Sequence, residues 1–538
     1  MDSTPHARRR SSPAPWILTA ALTVGVLGCS DDEPKCKDEP VKTCVPPDDG
    51  GTGDAGTPDS GTPDASIFDP NTQVLLTQID VYHTRNGIQS SPYNFNTAST
   101  QLVPKDGGTA ITGTIVEPGR LRFDAPPGSY LVKNVANYYS ISWRSVDISA
   151  RRYGVPGRGS VFFQTPTPTS FNLTGLEPTP DPLSPTASTL RFHSLDIEES
   201  GSFDLQQQLG DGQTSLVTTD AQYWSDYGKV PRFDPARGDS AWVVQTVERD
   251  AGVEGDGGTP SLYTSLTRAA DLNPFAFDGG TLSVQAALQP APQQTVRFDW
   301  RRDEFNALRI ASASSPFTSG QVEVYPALKT AQDGWIDYSP SPMLSYSAQP
   351  RDAQTPRVKE LAYGNPYPAT WDAIAMFTST YAFDVTNPDG SRTYRASESF
   401  ASTEAVSDLA TTPVRPRISL PRNFKVDGIA ATTPQLLGSA TPLVTWDPPE
   451  LGTPTSYTLA IYSLEPSNDF LRPVTRFYLG PDDRSVSVPP GILTPGKDYH
   501  LQLTAQTSPG GLRPERVWFT LVVPLSGATT SSALFRVQ

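Results

Sequence analysis

The sequence predicts an all-β fold, with several β-sandwich domains in series behind a disordered N-terminal tether. Three observations carry this. Proline numbers 54 and glycine 41 in 538 residues, and a proline inside a helix costs about 3 kcal/mol where turns and strand ends accept it. Apolar residues recur at alternate positions in short runs, the period of a half-buried strand. Residues 30–67 form a Pro/Gly/Asp tract with almost nothing apolar to bury. A chain of this length holds about three or four domains.

The N-terminus reads in three parts. Arg8, Arg9 and Arg10 make a positive start, and the twelve residues from Trp16 to Leu27 carry no charge. As a helix that run spans roughly 18 Å against a hydrocarbon core of about 30 Å, too short to cross and the shape of a signal-peptide core. It ends in Val26-Leu27-Gly28-Cys29. These residues resemble the lipobox of bacterial lipoproteins. The resemblance implies removal of residues 1–28, a thioether-linked diacylglycerol on Cys29 and acylation of the new amine. Two or more acyl chains anchor a protein stably where one does not. The alternative is an ordinary secretory leader followed by an unmodified cysteine. The arginine run lacks the apolar residues that follow a twin-arginine motif, which favours the general secretory route. Ser30, not Asp, follows the cysteine, so the expected location is the outer membrane or cell surface rather than the inner membrane.

Residues 29–67 are the expected tether. Ten acids and three lysines lie in 30–67, giving about −7, so the segment repels itself and extends. From Cys29 to Phe68 it would reach ~35 Å as a flexible coil and up to ~120 Å if stiffened by proline. Cys36 and Cys44 are the other cysteines of the chain. In an oxidising compartment a local disulfide between them is the expectation, with free thiols or an intermolecular bond left open.

Downstream, no run reaches 18 apolar residues, and the best, Phe519 to Leu525, has strand length. Over 72–180, Leu121, Phe123 and Ala125 share a face before a Pro126-Pro127-Gly128 turn into Tyr130-Leu131-Val132. The string from Gly119 to Val132 resembles the ending of carboxypeptidase-regulatory-like sandwiches, which are non-catalytic stalks or binders. From 187 to 415 the alternation continues in Leu282, Val284, Ala286 and Leu288, in Val296, Phe298 and Trp300, and in Val322 and Val324. One larger sandwich or two smaller ones fit, with a short helix at Arg302 to Leu308. Asp250 to Pro260 repeats the tether's chemistry and is expected as an exposed insertion. No fixed-period repeat appears, which counts against a propeller.

In 420–538, Leu443-Val444-Thr445-Trp446 alternates into a tryptophan and is followed by Asp447-Pro448-Pro449. Tyr457 to Ile461, Val486 and Val488 continue the pattern, and Leu493-Thr494-Pro495-Gly496 leads through Tyr499 into Leu501, Leu503 and Ala505. This order resembles the fibronectin type III fold. The resemblance puts Trp446 on the second strand and makes Tyr499 a tyrosine corner bonded back to the chain near Leu493. The stretch 507–526 is longer than a simple loop there, implying a displaced last strand or an extra hairpin.

For chemistry the sequence offers little. The net charge of −15, about −17 once the basic leader is gone, disfavours nucleic acid and anionic membrane surfaces as partners and promotes solubility. Three histidines remain after the leader, His83, His193 and His500. His500 falls out of phase with its strand's buried positions and is expected at the surface. No Gly-x-Ser-x-Gly elbow presents a serine, no cysteine outside the leader and tether can pair with histidine, and zinc of the usual His/Cys kind lacks ligands. No catalytic residue, metal or cofactor is assigned. Carboxylate pairs cannot be matched from sequence, so a glycan hydrolase stays open as the alternative. Tyr223, Trp224 and Tyr227, and Tyr363, Tyr367 and Trp371, lie among turn residues, where rings could stack on sugars or simply cap a sandwich edge. Arg237-Gly238-Asp239-Ser240 matches an integrin-type tripeptide, a match short enough to arise by chance. The expectation is a non-catalytic, membrane-anchored surface lipoprotein whose sandwiches bind or adhere to a protein or polysaccharide.

Overall fold

A computed structural model describes residues 68–84, 87–156, 161–178, 187–205, 212–254, 259–309, 317–330, 334–336, 341–348, 356–465, 471–509 and 522–538. The leader, Cys29, Cys36, Cys44, the tether and most of 507–526 lie outside these residues. Among the described residues strands dominate, and the longest helix is Arg302–Ala307. No helix there is long and apolar enough to cross a membrane.

The first strands build a small sandwich. Gln73–Thr77 pairs antiparallel with Arg120–Asp124 and parallel with Ser145–Asp147, while Tyr130–Asn134 lies between Thr100–Pro104 and Asn137–Ser140. Their inward residues, Val74, Leu76, Leu102, Leu121, Phe123 and Val132 among them, share one core. Alternation is the cause: Leu121, Phe123 and Ala125 are buried while Arg122 and Asp124 between them are not.

A second body curls round an aromatic core. Thr167–Thr174 runs antiparallel to Ser215–Ser225 and parallel to Leu282–Ala287, so by its pairing it joins the strands that follow rather than those of 72–153. The sheet continues through Glu199–Leu205, Ser188–Ser194 and Ala241–Glu254. Phe192 sits at the centre, with its ring 5.3 Å from Tyr223 and from Phe275 and 5.6 Å from Phe233. Of the expected exposed insertion, Asp250, Gly252 and Val253 are exposed, and residues 250–254 and 259–260 belong to a long hairpin. Ala241–Glu254 and Thr259–Leu272 stay paired out to Glu254 opposite Thr259, with Ala251 buried.

The third body pairs Gln293–Trp300 with Arg357–Gly364 and faces them with Phe317–Thr330, Leu344–Ala348 and Asp372–Thr386. Val296, Phe298 and Trp300 are fully buried against Val322, Val324 and Phe377.

The C-terminal body is a sandwich of two antiparallel sheets. Arg422–Val426, Leu443–Asp447 and Ser485–Ser487 form one sheet. Ser456–Leu464, Leu471–Leu479, Asp498–Thr507 and Leu525–Ser531 form the other. Trp446 is buried between them, 5.5 Å from the Tyr457 ring. The Tyr499 hydroxyl accepts the Thr494 N–H at 2.7 Å.

These bodies follow one another in sequence but share strand pairing. Thr259–Leu272 pairs with Leu344–Ala348, and Thr393–Ala405 with Leu525–Ser531. The chain also closes on itself. Asn137–Ser140 lies parallel to Leu471–Leu479, Tyr138 stacks on Phe477 at 4.8 Å and Tyr139 on Tyr478 at 5.1 Å. Lys105 adds an ion pair to Asp483 at 2.6 Å. The Thr393–Ala405 strand explains one departure from expectation. His500 is 0% exposed, because the face of its strand that would meet water is covered by Tyr394, whose ring lies 5.3 Å away.

Candidate functional site: an open sheet face and its bordering grooves

The second body turns one sheet face toward solvent. On Ser215–Ser225, Leu216, Ala221 and Tyr223 point inward while Val217, Gln222 and Trp224 point out. The neighbouring strands follow the same rule. Phe171 and Leu173 are buried and Asn172 is exposed; Leu282 and Val284 are buried and Ser283 and Gln285 are exposed. Cross-strand registry then makes rows on the open face. Val217, Asn172 and Gln285 lie opposite one another across three strands, and Gln222 sits between Asp204 and Pro168. Trp224 pairs with Ser202 and is 46% exposed. From the level of Trp224 to that of Asn172 is six residues of strand, about 20 Å at ~3.3 Å each. Gly201 permits the close approach beneath Trp224, since a Cβ there would lie 2.2 Å from the Trp224 carbonyl oxygen.

Two shallow grooves border this face along the Leu282–Ala287 strand. The larger, about 550 Å³, is walled by Trp242, Asp271, Gln285, Gln289, Pro290 and Pro366 among others. The smaller, about 310 Å³, includes Arg232, Asp234, Asp278 and Ser283. Its charges are already engaged: Arg232 pairs with Asp278 at 3.1 Å, and Asp234 accepts the Ala236 N–H at 2.9 Å.

The aromatic residues singled out from sequence divide sharply. Trp224 and Tyr227 are exposed. Tyr223, in contrast, is fully buried and donates its hydroxyl to Glu199 at 2.7 Å. Tyr363 is buried with its hydroxyl on Gln294 at 2.9 Å, and burial pushes its pKa up to about 12. Tyr367 is buried too; it stacks parallel on Trp371 at 5.8 Å and shares a hydrogen bond of 2.9 Å with His193. Trp371 in turn stacks on Tyr153 at 5.0 Å. These three rings therefore brace the wall behind the larger groove, and the expectation that they stack on a ligand is corrected. The cause is packing of the 364–371 segment between the second and third bodies, where Tyr367 also meets Trp242 at 5.7 Å.

His193 is enclosed in the same wall, and burial, with Arg191 nearby, drives its pKa down to about 3. The Arg-Gly-Asp match is likewise folded away. Asp239 is 2% exposed and accepts the Asp234 N–H at 2.7 Å, and Arg237 donates to the Pro156 carbonyl. Trp242 was not legible as a site residue, because Ala241-Trp242-Val243-Val244 reads simply as a buried strand. Among the described residues no group of three or more His, Cys, Asp or Glu is disposed to hold a metal ion.

No family model matches the chain, and no curated protein does. Among solved structures, the FN1–FN3 domains of chicken CNTN1 are 11% identical over 65% of this chain and 92% of theirs, with a TM-score of 0.13. A Bacteroides ovatus protein provisionally named an adhesin is 10% identical over 47% of this chain and 80% of its own, with a TM-score of 0.12.

Proposed function

We propose that the protein is a non-catalytic, lipid-anchored surface protein whose β-sandwich bodies present a binding face away from the membrane. The observation that carries the binding role is the open face around Trp224, bordered by a groove that contains Trp242. A sheet face left uncovered, with its inward residues fully packed, has no structural need for an exposed indole. An exposed indole there offers the large flat apolar surface that buried contacts draw on.

A binding role is favoured over hydrolysis by the groove walls. Glycoside cleavage uses two acids ~5–9.5 Å apart. The larger groove has one carboxylate, Asp271, and the acids of the smaller one are committed as described. Tyr367 and Tyr153 stack on the ring of Trp371, which lines neither groove.

Anchoring rests on the lipobox-like Val26-Leu27-Gly28-Cys29. Cleavage before Cys29, two or more acyl chains on it, and a proline-rich acidic spacer would hold the body clear of the headgroups. The expected location is the outer membrane or cell surface. Fractionation of cells making the Cys29→Ser variant tests this: the protein should leave the membrane fraction with its fold intact. Retention of that variant with the membrane, or native protein still carrying Met1, would overturn the anchor.

A further inference from the structure

We propose that the open face binds an uncharged, extended polysaccharide, with Trp224 as the stacking platform and Asn172, Gln222 and Gln285 as hydrogen-bonding groups. The inference rests on the binding reading above and names its ligand class.

The choice of ligand comes from the chemistry of the face. Beside Pro168, Asp204, Val217 and Ala287, its outward side chains are amides and hydroxyls, namely Asn172, Gln222, Gln285, Ser170, Ser202 and Ser283. Amides both donate and accept, which suits neighbouring sugar hydroxyls that do the same. The exposed indole supplies the flat apolar surface that the C–H face of a pyranose needs. Charge narrows the class further. The four strands Glu199–Leu205, Ser215–Ser225, Thr167–Thr174 and Leu282–Ala287 contain no lysine or arginine, and Asp204 and Asp220 are exposed on them. On the adjoining strand Arg191, in register with Ser202 and Trp224, is held by Asp226 at 2.9 Å, so the face offers no uncompensated positive charge to a polyanion, and nucleic acid, uronate-rich polymers and phosphate-bearing polymers are disfavoured.

Shape argues for a polymer rather than a single sugar or a globular protein. The rows extend along the strands for about 20 Å, across the register shift between Thr169 and Phe171, and the larger groove continues past Gln285 at their far end. A protein partner would seek an apolar centre rich in aromatic residues and arginine; here one tryptophan and Val217 stand among amides.

Affinity electrophoresis of the full chain carrying Cys29→Ser tests the proposal, in native gels containing soluble hydroxyethyl cellulose, galactomannan, arabinoxylan or, as the anionic control, polygalacturonate. The expected result is retardation by at least one neutral polymer, insensitive to salt. It should be lost in Trp224→Ala and in the double variant Asn172→Ala/Gln285→Ala, and kept in Trp143→Ala, a tryptophan 59% exposed on another body. Circular dichroism melting of each variant shows whether it is folded. Retardation by polygalacturonate alone, retardation unaffected by Trp224→Ala, or no retardation by any neutral polymer would each overturn the proposal. A parallel pull-down of envelope protein separates the two levels. Capture that depends on Trp224 without glycan retardation overturns the glycan assignment alone, and absence of both overturns the binding reading as well.

Discussion

Two short aromatic segments, alike in composition, meet opposite fates. In Tyr223-Trp224-Ser225-Asp226-Tyr227 the rings alternate, one into the core and its neighbour into solvent. In the segment from Tyr363 to Trp371 the rings turn inward: Trp371 stacks on Tyr367 and Tyr153, Tyr367 bonds His193, and Tyr363 bonds Gln294. The difference is positional. The first lies on a strand whose outer face no described residue covers, so the two-residue period alone decides exposure. The second runs between two bodies, and the partner surface reverses what local sequence implies. Turn residues around a ring do not make it a ligand platform; an uncovered sheet face does.

The largest consequence falls on the buried segment. Tyr367→Ala removes a stacked ring and leaves His193 Nε2 without its partner, so it should cost about 3–5 kcal/mol, the range for deleting a buried aromatic side chain. Urea denaturation midpoints against the parent measure this, and a loss below that of a surface substitution would mean the segment is not packed as described.

A pH dependence follows from the two buried imidazoles. The folded-state pKa values of His193 and His500 are lowered to about 3 and about 4 from 6.5, chiefly by burial. Each group is therefore neutral in the folded protein and takes up a proton on unfolding once the pH drops below 6.5. Their stabilisation is fully present above pH 6.5 and is lost as pH falls toward 4, by about 2 kcal/mol each at pH 5. Asp80 and Glu323, whose carboxyls burial raises, act with the opposite sign and gain as the pH falls. Urea midpoints at pH 7 and pH 5 should separate, and His500→Phe should narrow the gap. An unchanged gap would show that His500 is reached by solvent.

Smaller effects sharpen the contrast. Tyr499→Phe leaves the Thr494 N–H without an acceptor and should cost about 1 kcal/mol. Trp224→Ala should change stability by no more than about 0.5 kcal/mol, as surface substitutions do, while removing polysaccharide retardation. A large loss of stability would place the indole in a packing role.

Much of the architecture was legible from alternation. The buried triplets Leu121-Phe123-Ala125 and Val296-Phe298-Trp300, and the strands around Trp446 and Tyr499, need only their own neighbours in sequence to choose a face. What could not be read was set by distant chain. Asn137–Ser140 joins Leu471–Leu479, and Thr393–Ala405 joins Leu525–Ser531; neither strand announces its partner. The same contacts bury His500 under Tyr394 against its strand's period. At the candidate site Trp224 was visible, but the turn residues Ser225 and Asp226 after it hid the strand whose alternation sends Tyr223 inward and Trp224 outward. Trp242 was hidden in a run that looks like plain core.

Hydroxyl-radical footprinting read by mass spectrometry tests the exposed-versus-enclosed division directly. In the native protein Trp224 should be oxidised as readily as Trp143, while Tyr223, Tyr363 and Tyr367 stay unmodified until the chain unfolds. Protection of Trp224 equal to that of Tyr223, or ready oxidation of Tyr363 and Tyr367 in the folded state, would contradict the account.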